Sequence, residues 1–347
     1  VAPGRGSYNR GELGYLSRFA DHPFFPERGR LLAEADRYRL ALGQVSLTHM
    51  DQANAYQPGL HLPGENASAL IYTCSAADFL LLEPRHQVVC VLGNSMGWYT
   101  TLFLGGCLDF PSALEVVNSM GGLQAGNIQG GQIIFPVVDG EWRLDARLQA
   151  KVVETLAEVC SLGEDHWVGL SIRLGGFLVL AGREAGVREL LRRLPKLTMG
   201  STDYPFQLPK HAAFHTPIMK HASEFGLARF AQLSIKQPLR PMIDGRGHLW
   251  RPLQTDPQDL LRYTFDHQVL QPYDFSQAVR VALREFNPDH LVLLGPGESL
   301  GGSIAQVMIA ESWRGLDSKQ AFAKAQQSDA PPLLAMNRPE QASLLLG

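Results

Sequence analysis

A surplus of charge of either sign is missing from this chain. Its 347 residues carry 31 Lys and Arg against 34 Asp and Glu, a formal net charge of -3. A polyanion finds no basic surplus to bind, so nucleic acid is not an expected partner. Apolar runs of 18 or more residues are also missing, as is a basic segment leading into an apolar one at the start, so no membrane association is expected. Cysteine is sparse: Cys74, Cys90, Cys107 and Cys160 are widely spread, with no C-x-x-C pair. Cys74 and Cys90 sit in apolar stretches and read as buried thiols, a usage that fits a reducing cytoplasm. His211 and His215 are four apart, but H-E-x-x-H is absent, so no metal site is expected. "GPGESLGG" has no phosphate-loop lysine and "PGRGSY" has no G-x-G-x-x-G spacing, so no bound cofactor is expected.

The composition that remains, 45% hydrophobic and 19% charged, is that of a globular protein with a large core. "ENASALIYTCSAADFLLLEP" reads as a helix with a proline stop. "HQVVCVLG" reads as a strand apolar on both faces, as in the middle of a parallel sheet. "GWYTTLFLGGC" and "FPSALEVVNSM" each open a helix. From "GQIIFPVVDG" to "STDYPFQLP" the order becomes strand, helix, strand, strand, helix, strand, the split pattern of a ferredoxin-like domain. Strand-like "LRPMID" and "HLVLLG" follow. The expected fold is therefore α/β: a hydrolase-like domain with a mostly parallel central sheet and an inserted ferredoxin-like β-α-β-β-α-β domain. The boundaries fall at 1–127 and 209–312 for the two parts of the large domain. The insert takes 128–208, and a helical tail takes 313–347.

Between the both-faces-apolar strand and the next helix lies "GNSMG", Gly93 to Gly97, which fits G-x-S-x-G. A serine hydroxyl is a weak nucleophile and needs an adjacent base. A tight strand-to-helix turn exposes its oxygen and places the next backbone N–H, that of Met96, where an oxyanion develops. Among the 11 histidines, "HAAFHTPIM" makes the specific case for His215, which precedes a proline-limited turn into an amphipathic helix.

With these segments in view, the chain resembles the acyl-carrier-protein malonyltransferases and the related acyltransferase domains of polyketide synthases. The resemblance rests on "PGRGSY" at 3–8, "GNSMG" at 93–97, "AAFHTPIM" at 212–219 and "LLGPGESL" at 293–300, in the family's order. It implies that Ser95 is acylated with His215 as general base. It implies oxyanion donors at the backbone N–H of Met96 and Arg5, and a histidine-orienting group near Leu294, Gly295 and Gly297. Acyl-CoA or acyl-phosphopantetheine would be the substrate, an acyl carrier protein the partner, with other synthase subunits as further partners.

Departures from the family pattern bear on the acyl group. Malonyl-specific members carry an arginine in the helix after the nucleophile, to pair with the substrate carboxylate. Here Met120 stands in that place. Methionine cannot pair a carboxylate, so neutral acyl groups are expected to be favoured over malonyl unless Arg5 or Arg173 takes over. Asn94 replaces the histidine before the serine and Trp98 the glutamate after the second glycine; with Phe214 these are read as pocket residues. Three other readings stay open. One is a thioester hydrolase of the same fold. Another is an α/β-hydrolase esterase with an acid among Asp109, Asp139, Asp145, Asp165 or Asp203. The third is a degenerate scaffold subunit.

Overall fold

The computed structural model describes residues 1–22, 25–82, 86–123 and 128–346. The expected boundary at 127/128 and the proline stop at Pro84 touch residues outside that set.

The first part of the chain is largely helical. Helix α1 spans Phe25–Ala41 and α2 spans Gly64–Leu82. Helix α2 is apolar or small on nearly every face, so it runs through the core and is buried for most of its length. Strand β1 (Val91–Leu92) leads into α3 (Gly97–Leu104). Helix α4 (Phe110–Gly122) follows, with Asp109 accepting from the Ser112 N–H at its start and a proline in its first turn. Helices α2 and α4 touch at Gly64 and Gly121, where a Cβ on Gly64 would lie 2.3 Å from the Gly121 carbonyl oxygen.

Strand β2 (Gly131–Pro136), helix α5 (Ala146–Cys160), strands β3 (Val168–Leu174) and β4 (Phe177–Gly182), helix α6 (Glu184–Arg193) and strand β5 (Phe206–Gln207) come next. Strands β6 (Met242–Ile243), β7 (Leu249–Trp250), β8 (Tyr273–Asp274) and β9 (Leu291–Leu293), helix α7 (Gly301–Ala310) and strand β10 (Leu333–Ala335) complete the frame. The segment expected as a helical tail thus contains a strand. The preceding helix ends at Gln326, and after Pro331 and Pro332 the segment Leu333–Ala335 pairs parallel with β9.

The expectation of a mostly parallel central sheet is corrected. The largest sheet has five strands in the order β8-β3-β4-β2-β5, and only its edge pair, β8 with β3, is parallel. The reason is local. The Gly175-Gly176 turn joins β3 to β4 as a hairpin, which can only pair antiparallel, and β2 enters on the other side of β4. The other parallel strand pairs among the described residues are also short, β1 with β6 and β9 with β10. The first two residues lie between these. Ala2 N–H donates to Leu92, Asn94 N–H to Ala2, and Leu294 N–H to Val1. Among the described residues three hydrophobic clusters result: one around the helices and short strands, a smaller one under the five-stranded sheet, and a third of Ala212, Met219, Ala222 and Val269 beside the histidine loop.

Candidate active site

Ser95 sits on the turn between β1 and α3 with φ of 54°, a left-handed conformation costly for a side-chain-bearing residue. Both flanking glycines are required. A Cβ at Gly93 would lie 2.2 Å from the Gly97 carbonyl oxygen, and one at Gly97 would lie 2.5 Å from that of Ala2. The crowding forces the turn tight and pushes the hydroxyl outward.

The Ser95 Oγ lies 2.7 Å from His215 Nε2. His215 Nδ1 lies 2.7 Å from the Gln268 carbonyl oxygen. A carbonyl only accepts, so the Nδ1 carries the proton and Nε2 is left to accept from the serine. Gln268 begins a three-residue helical segment, Gln268–Leu270, directly after the π-helical turn Tyr263–His267. Carbonyls at such a helix end have no intrahelical partner, which leaves this one for the imidazole. The Gln268 side chain holds the same assembly. Its Nε2 donates to the Ser95 carbonyl at 3.2 Å, and its Oε1 accepts from Tyr99 OH at 3.2 Å. His215 itself is buried, with φ of 58°. Burial pushes its pKa down to about 4, a hydrogen bond to Gln268 opposing the shift, so the ring is neutral at neutral pH.

A cavity of about 450 Å³ opens beside this pair. Arg5, Asn94, Met96, Met120 and Phe214 line it together with Ser95 and His215. Met96 is at the start of α3, where backbone N–H groups have no helical acceptor. The loop carrying Arg5 is pressed on the turn: a Cβ at Gly4 would lie 2.9 Å from the Asn94 carbonyl oxygen. Asn94 is buried, and its Oδ1 has no hydrogen-bond partner among the described residues.

Other residues singled out from the sequence lie elsewhere. Trp98 is fully buried in the core, its indole N–H donating to Thr264 Oγ1 at 3.0 Å and its ring edge-on to Tyr263. It points away from the cavity because α3 turns it one residue past the lining side. Arg173, on β3, is half-exposed and pairs with Asp274 at 3.6 Å. The segment at Leu294, Gly295 and Gly297 does not orient the histidine. Gly295 N–H donates to Asp78 at 2.8 Å, and its carbonyl accepts from Ser75 at 2.6 Å. A Cβ on Gly297 would strike the Ser7 carbonyl at 2.3 Å. The segment therefore braces the N-terminal loop against α2, and Gln268 does the orienting.

Sequence reading missed Gln268 because the working atom is a backbone carbonyl, which leaves no residue-type signal. It also missed a hydrogen-bonded chain beneath the histidine loop. Gln132 on β2 receives His211 Nδ1 at 2.9 Å and donates to Ser171 at 2.6 Å, and Ser171 on β3 donates to the Phe214 carbonyl at 2.8 Å. The spacing of His211 to His215 was the one available sign. Among the described residues no group of three His, Cys, Asp or Glu could hold a metal, and no helix is long and apolar enough to cross a membrane.

A serine held at 2.7 Å from a neutral, carbonyl-oriented imidazole, beside a cavity of about 450 Å³, is the equipment of acyl transfer through a serine ester. Fold and pair together match what a serine acyltransferase uses. The fold is that of the acyl-carrier-protein S-malonyltransferases. The chain aligns with the structure of that enzyme from Burkholderia pseudomallei at a TM-score of 0.73 and 20% identity, covering 99% of this chain and 97% of the other. It aligns with a malonyl-transacylase solved in complex with its type II polyketide synthase acyl-carrier protein at a TM-score of 0.74 and 17% identity, covering 99% and 97%. In sequence it is 23% identical to the malonyl CoA-acyl carrier protein transacylase of Escherichia coli over 327 residues, 94% of this chain and 97% of the relative. The Staphylococcus aureus enzyme of the same name is 23% identical over 246 residues, 70% of this chain and 74% of the relative. No family model matches the chain.

These comparisons overturn the expectation that neutral acyl groups are favoured over malonyl, since the relatives are malonyl transferases. The physical ground of that expectation also falls. It held only if neither Arg5 nor Arg173 supplied a cation in place of Met120. The Arg5 side chain lines the same cavity from the N-terminal loop.

Proposed function

We propose that this chain transfers a malonyl-type acyl group from a coenzyme A thioester to the phosphopantetheine thiol of an acyl carrier protein, through an ester on Ser95. The observation that carries the reading is the 2.7 Å contact of Ser95 Oγ with the His215 nitrogen left unprotonated by Gln268. The malonyl group and the carrier-protein partner are supported by what the relatives' names describe.

In the first step the Ser95 oxygen bonds to the thioester carbonyl carbon while His215 Nε2 takes its proton. The oxyanion faces the backbone N–H groups of Met96 and Arg5. The C–S bond then breaks, and His215 returns the proton to the departing thiolate. In the second step the carrier thiol gives its proton to His215 and its sulfur attacks the acyl-serine carbonyl. The C–O bond breaks, and Ser95 regains a proton from His215.

The test is intact-mass analysis after exposure to malonyl-CoA, followed by a chase with carrier protein. One malonyl adduct, absent from Ser95→Ala and moved to the carrier on chase, is expected. Failure of the wild-type protein to form an adduct at Ser95 overturns the reading.

A further inference from the structure

Arg5 is the only Lys, Arg, Asp or Glu among the described residues lining the cavity. Its guanidinium donates to the Lys210 carbonyl and lies 5.3 Å over the Phe214 ring. Among the described residues no carboxylate is within ion-pair distance of it. Glu65 acts on it only from farther away, and burial lowers its pKa to about 10, which leaves it cationic. A cation held in a largely apolar cavity without an anion is unfavourable by itself. It is the arrangement of a site whose anion arrives with the ligand.

The place of the charge is specific. A Cβ on Gly64 would lie 3.1 Å from Arg5 Nη1, which puts the guanidinium at the crossing of α2 and α4, beside the Met120-Gly121 step. Ser68, one turn along α2 from Gly64, points its hydroxyl at the same crossing: a Cβ on Gly121 would lie 2.8 Å from its Oγ. Ser68 lines the cavity, and its hydroxyl is buried with no hydrogen-bond partner among the described residues. A guanidinium without its anion and a hydroxyl without its acceptor thus converge on one corner of the cavity.

We infer that Arg5 and Ser68 form the subsite for the free carboxylate of the acyl group, with Arg5 supplying from the N-terminal loop the charge that Met120 cannot. This rests on the acyl-transfer reading and names how that site selects its substrate. Guanidinium offers two parallel N–H donors to a carboxylate, and the serine O–H adds a third. The backbone N–H of Arg5 survives any side-chain exchange, so the oxyanion contact and the carboxylate contact separate experimentally.

The experiment compares acylation of Ser95 by malonyl-CoA and acetyl-CoA in wild type, Arg5→Met, Ser68→Ala and Arg5→Met/Met120→Arg. Loss of a paired, charge-assisted contact predicts that Arg5→Met lowers the ratio of malonyl to acetyl kcat/KM by about 100-fold. Ser68→Ala shifts the same ratio in the same direction by about tenfold. The double variant regains malonyl preference over Arg5→Met, because the charge returns to the same corner from α4. Equal loss on both substrates in Arg5→Met, or no loss on malonyl, overturns the inference while leaving acyl transfer standing. A wild-type protein that forms no malonyl-Ser95 overturns both.

Discussion

His215 shows how a single side chain's surroundings set its chemistry. An imidazole at its ordinary pKa would be about 90% protonated, and useless as a base, one unit below that value. Burial moves the group down to about 4, so the basic form persists well into acid. Acylation kcat/KM at about pH 5.5 should therefore stay within about twofold of its value near neutrality, where an unshifted histidine would give about a tenth. A stopped-flow pH profile of Ser95 acylation checks this; a limb near 6.5 would show that the ring is not held neutral. Ser95 and His215 were singled out from residue type, spacing and the family resemblance, because the nucleophile and base proposed for them must be particular side chains, and the two lie 2.7 Å apart. Gln268 was not, since any residue offers the same carbonyl. Arg5 and Arg173 were both legible as cations that could stand in for Met120, but the order of residues does not choose between them; Arg5 lines the cavity, whereas Arg173 pairs with Asp274.

The turn from β1 to α3 depends on backbone packing. With a Cβ at Gly93 the contact to the Gly97 carbonyl oxygen would be 2.2 Å, so Gly93→Ala must open the turn or displace α3. Overpacking of this kind costs roughly 1–3 kcal/mol, and the larger effect falls on catalysis, since the Ser95–His215 contact is lost with the turn's shape. Thermal unfolding and acylation measured together should show a modest drop in Tm and a loss of acylation of more than about 100-fold. Retained acylation would show that the turn tolerates the extra atom. The helices were readable because their signals are local: Asp109 and Asp145 cap α4 and α5 where the patterns begin. Sheet direction was not. "HQVVCVLG" is apolar enough for a long central strand, yet only Val91–Leu92 forms a strand, with a single bridge at Gly93, and the longest pairings are those of β4 with β3 and with β2. Apolar content reports burial on both faces, and helices can supply that burial as well as neighbouring strands do.

The protein as a unit is tied together at Asp78, deep in α2. Its carboxylate accepts from Tyr15 OH at 2.6 Å and from Gly295 N–H at 2.8 Å, and pairs with buried Arg28 at 3.1 Å. Three distant parts of the chain meet on one carboxylate. Removing it strands Arg28 in the core, and breaking such a buried pair costs about 3–5 kcal/mol. Asp78→Ala should lower the urea midpoint accordingly, with Asp78→Asn milder because the amide oxygen still accepts from Gly295 and Tyr15. Equal stability of all three proteins would show that the junction carries no weight. The sequence showed a resemblance through "LLGPGESL" but assigned its glycines to the histidine, because closeness to catalysis and support of the loop beside it look alike in one dimension.

That bracing of the N-terminal loop by the Gly295–Gly297 segment has a consequence for anyone regrafting acyl selectivity between relatives. The selecting charge is on a loop wedged between the serine turn and a segment almost three hundred residues downstream in chain order. The five-stranded sheet contributes apolar wall and Gln132, but no formal charge, to the cavity. Exchanging that sheet alone would reshape the room for the acyl chain, whereas moving the preference for an acid would require transplanting loop, turn and brace as one interlocking set.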